Sequence, residues 1–176
     1  MIIILGCDHC LQDPERTSGF WQGVEQTPRA RRQREGFRDT FQCIVRTDGC
    51  DFIGEESKDG QSTPALCLAK KLGLRYQNID MTPAERDAAG IPEGYSESPQ
   101  HGEAQKQGWH RIREQHMIEE VEAARGDCKN LLIVCGVQHM LPLYERFRQG
   151  SEETRVIDVT KAPWFSGPLQ SEWLFE

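Results

Sequence analysis

The chain has 176 residues, 37% of them apolar and 28% charged, and a formal net charge of −7. At that length folding buries roughly 70% of the unfolded surface, enough for one sizeable core, and seven Phe with four Trp exclude a disordered composition. The negative balance argues against broad nonspecific nucleic-acid binding, and no run approaches the about 18 apolar residues of a membrane helix.

Met1–Leu5 is a β-branched apolar run ended by Gly6, the pattern of a strand buried on both faces in a parallel sheet. The run is too short for a signal-peptide core and no basic region precedes it, so the reading is of a cytoplasmic protein. Seven cysteines, an odd number, suit reduced thiols better than a disulfide framework.

Residues 11–28 carry Pro14, Gly19, Gly23 and Pro28 and are expected to form a long loop with a short helical turn. A helix follows from about Ala30 to Val45. It contains the basic cluster Arg29, Arg31, Arg32, Arg34 and Arg38, which is either a solvated helix face or a surface for an anionic partner or nucleic acid.

Asp51–Gly54 reads as a second strand. Thr63-Pro64 caps a helix through Ala65–Leu72, and Gly73 stops it. Leu74–Ile79 gives a third strand, and Thr82-Pro83-Ala84-Glu85 repeats the cap and proline for a helix to about Ala89. Residues 91–102, with two Pro, two Gly and two Ser, read as a mobile loop or lid. The longest helix spans about Glu103–Arg125. A buried strand at Leu131–Cys135, a helix at His139–Arg148 and a strand at Arg155–Val159 complete the order. The alternation of strands and helices predicts one α/β domain, with a layered, mostly parallel sheet of about five strands flanked by helices. The aromatic tail Pro163–Glu176 is expected to dock on the domain or to form a homodimer through a second subunit.

Two strand ends carry the same group. Ile2–Leu5 and Leu132–Cys135 are each four apolar residues followed by Gly-x-x-His, giving Gly6–His9 and Gly136–His139. A third strand end, Phe52-Ile53-Gly54, runs into Glu55-Glu56. In open α/β sheets such ends converge on one crevice. Glycine at each turn would permit positive φ and close approach of a ligand, and imidazole serves as a metal ligand or a general base. His9, His139 and Glu55 or Glu56 are therefore candidates for a catalytic metal set with an open position for water, or for direct water activation. Either histidine alone could instead be a capping or hydrogen-bonded residue.

On the long helix, Met117, Val121 and Ala124 fall on one arc, and Arg113 lies inside it with Glu120 at its edge. Both are expected to be buried with partners. Arg113 would bind a substrate carboxylate or stabilise developing negative charge, or else serve only a buried ion pair. Asp8 and Gln138, each preceding one of the two histidines, join Arg113 as expected substrate contacts. Cys7-Asp8-His9-Cys10 contains a Cys-x-x-Cys, but no second pair accompanies it, which argues against a zinc ribbon; Cys10 beside His9 is a weaker nucleophile candidate.

The paired Gly-x-x-His motifs, the acidic strand end and Arg113-Glu114-x-x-Met117 resemble the TraB/Tiki group, in a superfamily with erythromycin esterases and the haem-binding ChaN proteins. The resemblance implies a hydrolase of small-molecule or peptide substrates in which His9, Glu55 or Glu56, Arg113 and His139 take the motif positions. It implies a divalent metal such as Mn, Co or Zn in the Tiki-like members, and haem binding as the alternative in ChaN.

Overall fold

The computed structural model describes residues 1–12, 27–57, 63–96, 98–150 and 152–167, apart from the side chain of Cys10. In chain order these form β1 (Ile2–Cys7), α1 (His9–Gln12), α2 (Pro28–Thr47), β2 (Phe52–Glu55), α3 (Pro64–Leu72), β3 (Arg75–Asn78), α4 (Pro83–Ala88), α5 (Glu103–Arg125), β4 (Leu131–Gly136), α6 (Val137–Gln149) and β5 (Thr154–Asp158). The five strands make one sheet in the order β3-β2-β4-β1-β5, and every pairing is parallel. The expected layered α/β architecture is therefore present. No helix among the described residues is long and apolar enough to cross a membrane.

Alternation along β1 divides the core. Ile3 and Leu5 face Phe37 and Phe41 of α2 and Leu68 of α3, whereas Ile2 and Ile4 face Met117 and Val121 of α5 and Met140, Leu143 and Phe147 of α6. Both central strands, β1 and β4, are buried at all six positions, as their continuous apolar runs require. The edge strands β3 and β5 are only partly buried.

Helix starts follow their caps. Thr63 and Thr82 accept backbone N–H groups at the starts of α3 and α4, with proline at the first turn. Thr27-Pro28 does the same for α2, so that helix begins two residues before the expected Ala30. α6 begins at Val137 instead of His139 because Gly136 is itself the N-cap.

The expected positive φ at the two motif glycines is corrected: Gly136 has φ −59°, and neither Gly6 nor Gly136 is among the left-handed glycines. Close approach is the reason for both. A Cβ on Gly6 would stand 2.5 Å from Met140 Sδ and 3.2 Å from its Cβ, so α6 packs directly on β1 at this point. Gly6→Ala is expected to destabilise the chain by about 1–3 kcal/mol through overpacking, read by thermal denaturation. A melt at or above wild type would refute the contact.

The expected loop over 11–28 falls mostly outside the described residues, as do Trp173, Leu174 and Phe175 of the tail. The described part of the tail lies on α2 of its own chain, where Trp164 covers Gly36. The segment expected to be a mobile lid is pinned at Ile91 and Tyr95, which are buried with Met81 and packed against Trp109. The six cysteines whose side chains are described are all free.

Candidate functional site

The order β3-β2-β4-β1-β5 creates a switch point between β4 and β1. From β1 the chain runs through α1 and α2 towards β2 on one face; from β4 it runs through α6 towards β5 on the other. Diverging connections leave a crevice at the carboxyl ends of these two strands. A cleft of about 880 Å³ occupies that position, and its lining includes Asp8, His9, Glu56, Asp80, Arg113 and Gln138. The two Gly-x-x-His turns thus sit on either side of one cleft, as the repeated pattern predicts.

They do not present equivalent histidines. The His9 side chain is 51% exposed and lines the cleft, whereas His139 is 0% exposed and does not. His139 occupies the first turn of a thirteen-residue helix packed on the sheet, and its Nδ1 lies 2.9 Å from Glu114 Oε1. Its neighbour Gln138 faces the cleft and has Nε2 3.3 Å from His139 Nε2.

Glu56 joins the two turns. Its Oε2 accepts the Gly136 N–H at 2.7 Å, and its Oε1 accepts Arg113 Nη2–H at 2.7 Å. The same Oε1 lies 3.5 Å from His139 Nε2 and 3.8 Å from His9 Nε2. Complete burial alone would raise the Glu56 carboxyl, but the neighbouring His139, His9 and Arg113 and the Gly136 N–H together hold it down at about 2. Glu56 is thus a fixed negative charge at neutral pH.

Glu55 does not join the cleft. It is the last residue of β2, and its Oε2 accepts Thr63 Oγ1–H at 2.5 Å and Tyr76 O–H at 2.8 Å, which ties the α3 cap to the sheet. Burial, with the Glu55 charge, pushes the Tyr76 hydroxyl well up, so the phenol stays a donor. Of the two glutamates left open by the sequence, Glu56 is the one brought to the histidines.

Arg113 is buried on α5 inside the expected arc. Its Nε and Nη2 donate to Asp80 Oδ1 at 3.2 and 2.9 Å, in addition to the Glu56 bond. Burial opposes its charge, but Glu56 and Asp80 outweigh burial and push its pKa up. Nη1 makes a long 3.5 Å contact with Tyr95 Oη. Since guanidinium only donates, the Tyr95 oxygen accepts there, and its O–H donates to His110 Nδ1 at 2.8 Å. Burial, then His139 and Arg113, lower the His110 pKa, which keeps that nitrogen an acceptor. Glu120 is only partly buried and accepts from Gln77 Nε2 at 2.8 Å, away from this cluster.

Gln12 sets the state of His9. Its Nε2 donates to the Glu56 carbonyl at 3.0 Å, so its Oε1 is the atom facing His9 Nδ1, 2.8 Å away. An amide oxygen accepts; Nδ1 therefore carries the hydrogen, and in the neutral ring the lone pair is then on Nε2, the nitrogen nearer Glu56 and Gly136. Gly136 makes room for this ring, since a Cβ there would come within 2.6 Å of His9 Nε2. Because the Gly136 backbone suits any residue and His9 can swing outward, Gly136→Ala should melt within a few degrees of wild type. It should nonetheless lose on the order of 10²-fold in any His9-dependent rate, the cost of misplacing a reacting group by about 1 Å. Unchanged turnover would show that the position of the ring is unimportant.

Asp80, Tyr95 and Gln12 were not read from the sequence, and Glu114 entered only as part of the Arg113-Glu114-x-x-Met117 motif, with no role of its own. Asp80 follows Ile79 as a further strand-end carboxylate, and the rule that found Glu56 would have found it. The Cys7 thiol is pushed well up by burial and by Cys135 and the nearby carboxylates, and the Cys10 side chain lies outside the described residues. Among the described residues no group of three or more His, Cys, Asp or Glu has a metal-holding arrangement. In the basic cluster, Arg29 donates to Ser166 and Gly167, whereas Arg31, Arg32 and Arg38 are exposed. Comparison with protein-family models, with curated proteins and with solved structures gives no match.

Proposed function

We propose that the chain is a hydrolase in which His9 is the general base towards water and Arg113 stabilises the developing oxyanion. The observation that carries this reading is the Gln12 bridge, which places the lone pair of the neutral His9 ring on Nε2, the nitrogen nearer Glu56 and Gly136 in the cleft lining. Water attacks a carbonyl carbon as Nε2 takes its proton; the proton then passes to the leaving oxygen or nitrogen as the scissile bond breaks. Arg113 Nη1, the guanidinium nitrogen with the weakest partner among the described residues, is the donor for the tetrahedral oxygen.

Both Glu56 oxygens already accept N–H groups, and a guanidinium stands 2.7 Å from one of them. A cation placed between His9, Glu56 and His139 would meet that fixed positive charge. These features favour direct activation of water over a Mn, Co or Zn ion at this position.

The test is turnover of p-nitrophenyl esters and of a quenched peptide mixture by the wild-type chain and by His9→Ala, each after dialysis with and without chelator. Chelator-insensitive turnover, lost on replacing His9 with the melt retained, is expected. Turnover that survives the replacement overturns the assignment of the base, and turnover lost to chelator overturns the metal-free route.

A further inference from the structure

The lining of the cleft is chemically uneven. Its reactive groups are His9, Glu56 and Arg113, while Phe165, Val137 and Pro92 supply apolar surface. Phe165 belongs to no strand or helix; it follows a 3-10 turn at Val159–Lys161, and its N–H donates to the Ala162 carbonyl at 2.9 Å. A residue in such a segment would ordinarily be poorly fixed, yet α2 holds this one from two sides.

Arg29 donates from Nε to Ser166 Oγ at 3.0 Å, and from Nη2 to the Ser166 and Gly167 carbonyls at 2.8 and 3.0 Å. The buried Gln33 donates from Nε2 to Ser166 Oγ and to the Gly167 carbonyl, both at 3.0 Å. On the other side of Phe165, Trp164 lies so close over Gly36 that a Cβ there would come within 2.4 Å of its ring. Trp164 also meets Phe165 edge to face, with centroids 6.4 Å apart. Trp164 and Phe165 both pack against the core cluster that contains Phe37 and Phe41 of α2, and of the two only Phe165 also lines the cleft. The clamp that follows it, built by Arg29 and Gln33, fixes the residue that faces the cleft.

We propose that Phe165, with Val137 and Pro92, forms an apolar subsite for the non-polar acyl portion of the substrate, and that Arg29 and Gln33 are positioning residues for it. The substrate class is then a carbonyl compound with an aliphatic chain. This rests on the hydrolase reading for the fate of the scissile bond and not for binding. Burying each methylene of such a chain should improve affinity by roughly fourfold at most.

The subsite is tested with methyl alkyl ketones from butanone to octanone, which present the carbonyl and cannot be hydrolysed, titrated calorimetrically into the full chain. Affinity is expected to climb with chain length in the wild type. Phe165→Ala should flatten the gradient, Phe165→Leu should restore part of it, and Arg29→Ala, remote from the cleft, should weaken it with the melt retained. No gradient in the wild type, or an undiminished gradient in Phe165→Ala, overturns the subsite. In parallel, p-nitrophenyl esters from acetate to octanoate separate the two proposals. A ketone gradient that depends on Phe165 with no turnover of these esters or of the peptide mixture leaves the subsite standing and removes the hydrolase; turnover with no ketone gradient does the reverse.

Discussion

Replacing Glu56 by Gln is expected to cost about 3–5 kcal/mol of stability at neutral pH, the range for removing one partner of a buried ion pair. The carboxylate accepts from Gly136 N–H through one oxygen and from Arg113 through the other. Glutamine has one oxygen and one amide nitrogen, so one of those two donors would face another donor inside the protein. Arg113 would keep Asp80 as its only carboxylate partner among its described contacts.

The same substitution should change the acid limb of the stability curve. Glu56 has a folded-state pKa of about 2 against an ordinary value of 4.5, so its contribution is complete above about pH 5 and is lost as the pH falls towards 2. That shift corresponds to about 3 kcal/mol between the two limits. Urea denaturation of wild type and Glu56→Gln across this range should therefore give two curves far apart at neutral pH that converge in acid. Parallel curves would mean that Glu56 is not held ionised by its neighbours.

Much of this arrangement follows from local sequence, because the central strands are buried on both faces and the helices carry their caps in the sequence. Ile2–Leu5 and Leu132–Cys135 are β-rich apolar runs closed by glycine, the pattern of interior strands, and Thr-Pro pairs at 63 and 82 mark helix starts without reference to the rest of the chain. Arg113 could be placed inside because its helical arc also holds Met117 and Val121. Glu114 could not, since it stands just outside that arc and is drawn in by His139, a residue 25 positions away. Tyr95 is similar: a Pro- and Gly-rich segment reads as mobile until the helix that follows it, α5, folds back to supply His110 and Arg113 for its hydroxyl. The repeated motif itself misleads about roles. Periodicity places both histidines beyond strand ends, but α6 continues straight from β4 and buries its third residue, whereas the four-residue α1 leaves His9 half exposed.

His9→Ala is expected to lower turnover by about 10²- to 10⁴-fold, the range for loss of a positioned general base, with little change in the thermal melt because the ring is half exposed. A subtler variant separates the role of the base from the mere presence of an imidazole. Gln12→Leu keeps the buried volume but removes the oxygen that accepts from His9 Nδ1, together with the donor to the Glu56 carbonyl. With that acceptor gone, the two neutral tautomers compete, and the fraction with its lone pair on Nε2 falls. The expected outcome is a drop in kcat with the His9 ring still present, accompanied by a change in its long-range ¹H–¹⁵N imidazole pattern from Nδ1–H to a mixture. If kcat falls and the tautomer does not move, Gln12 acts only by holding the Glu56 backbone. If the tautomer moves and kcat does not, the proton acceptor is a group other than His9 Nε2.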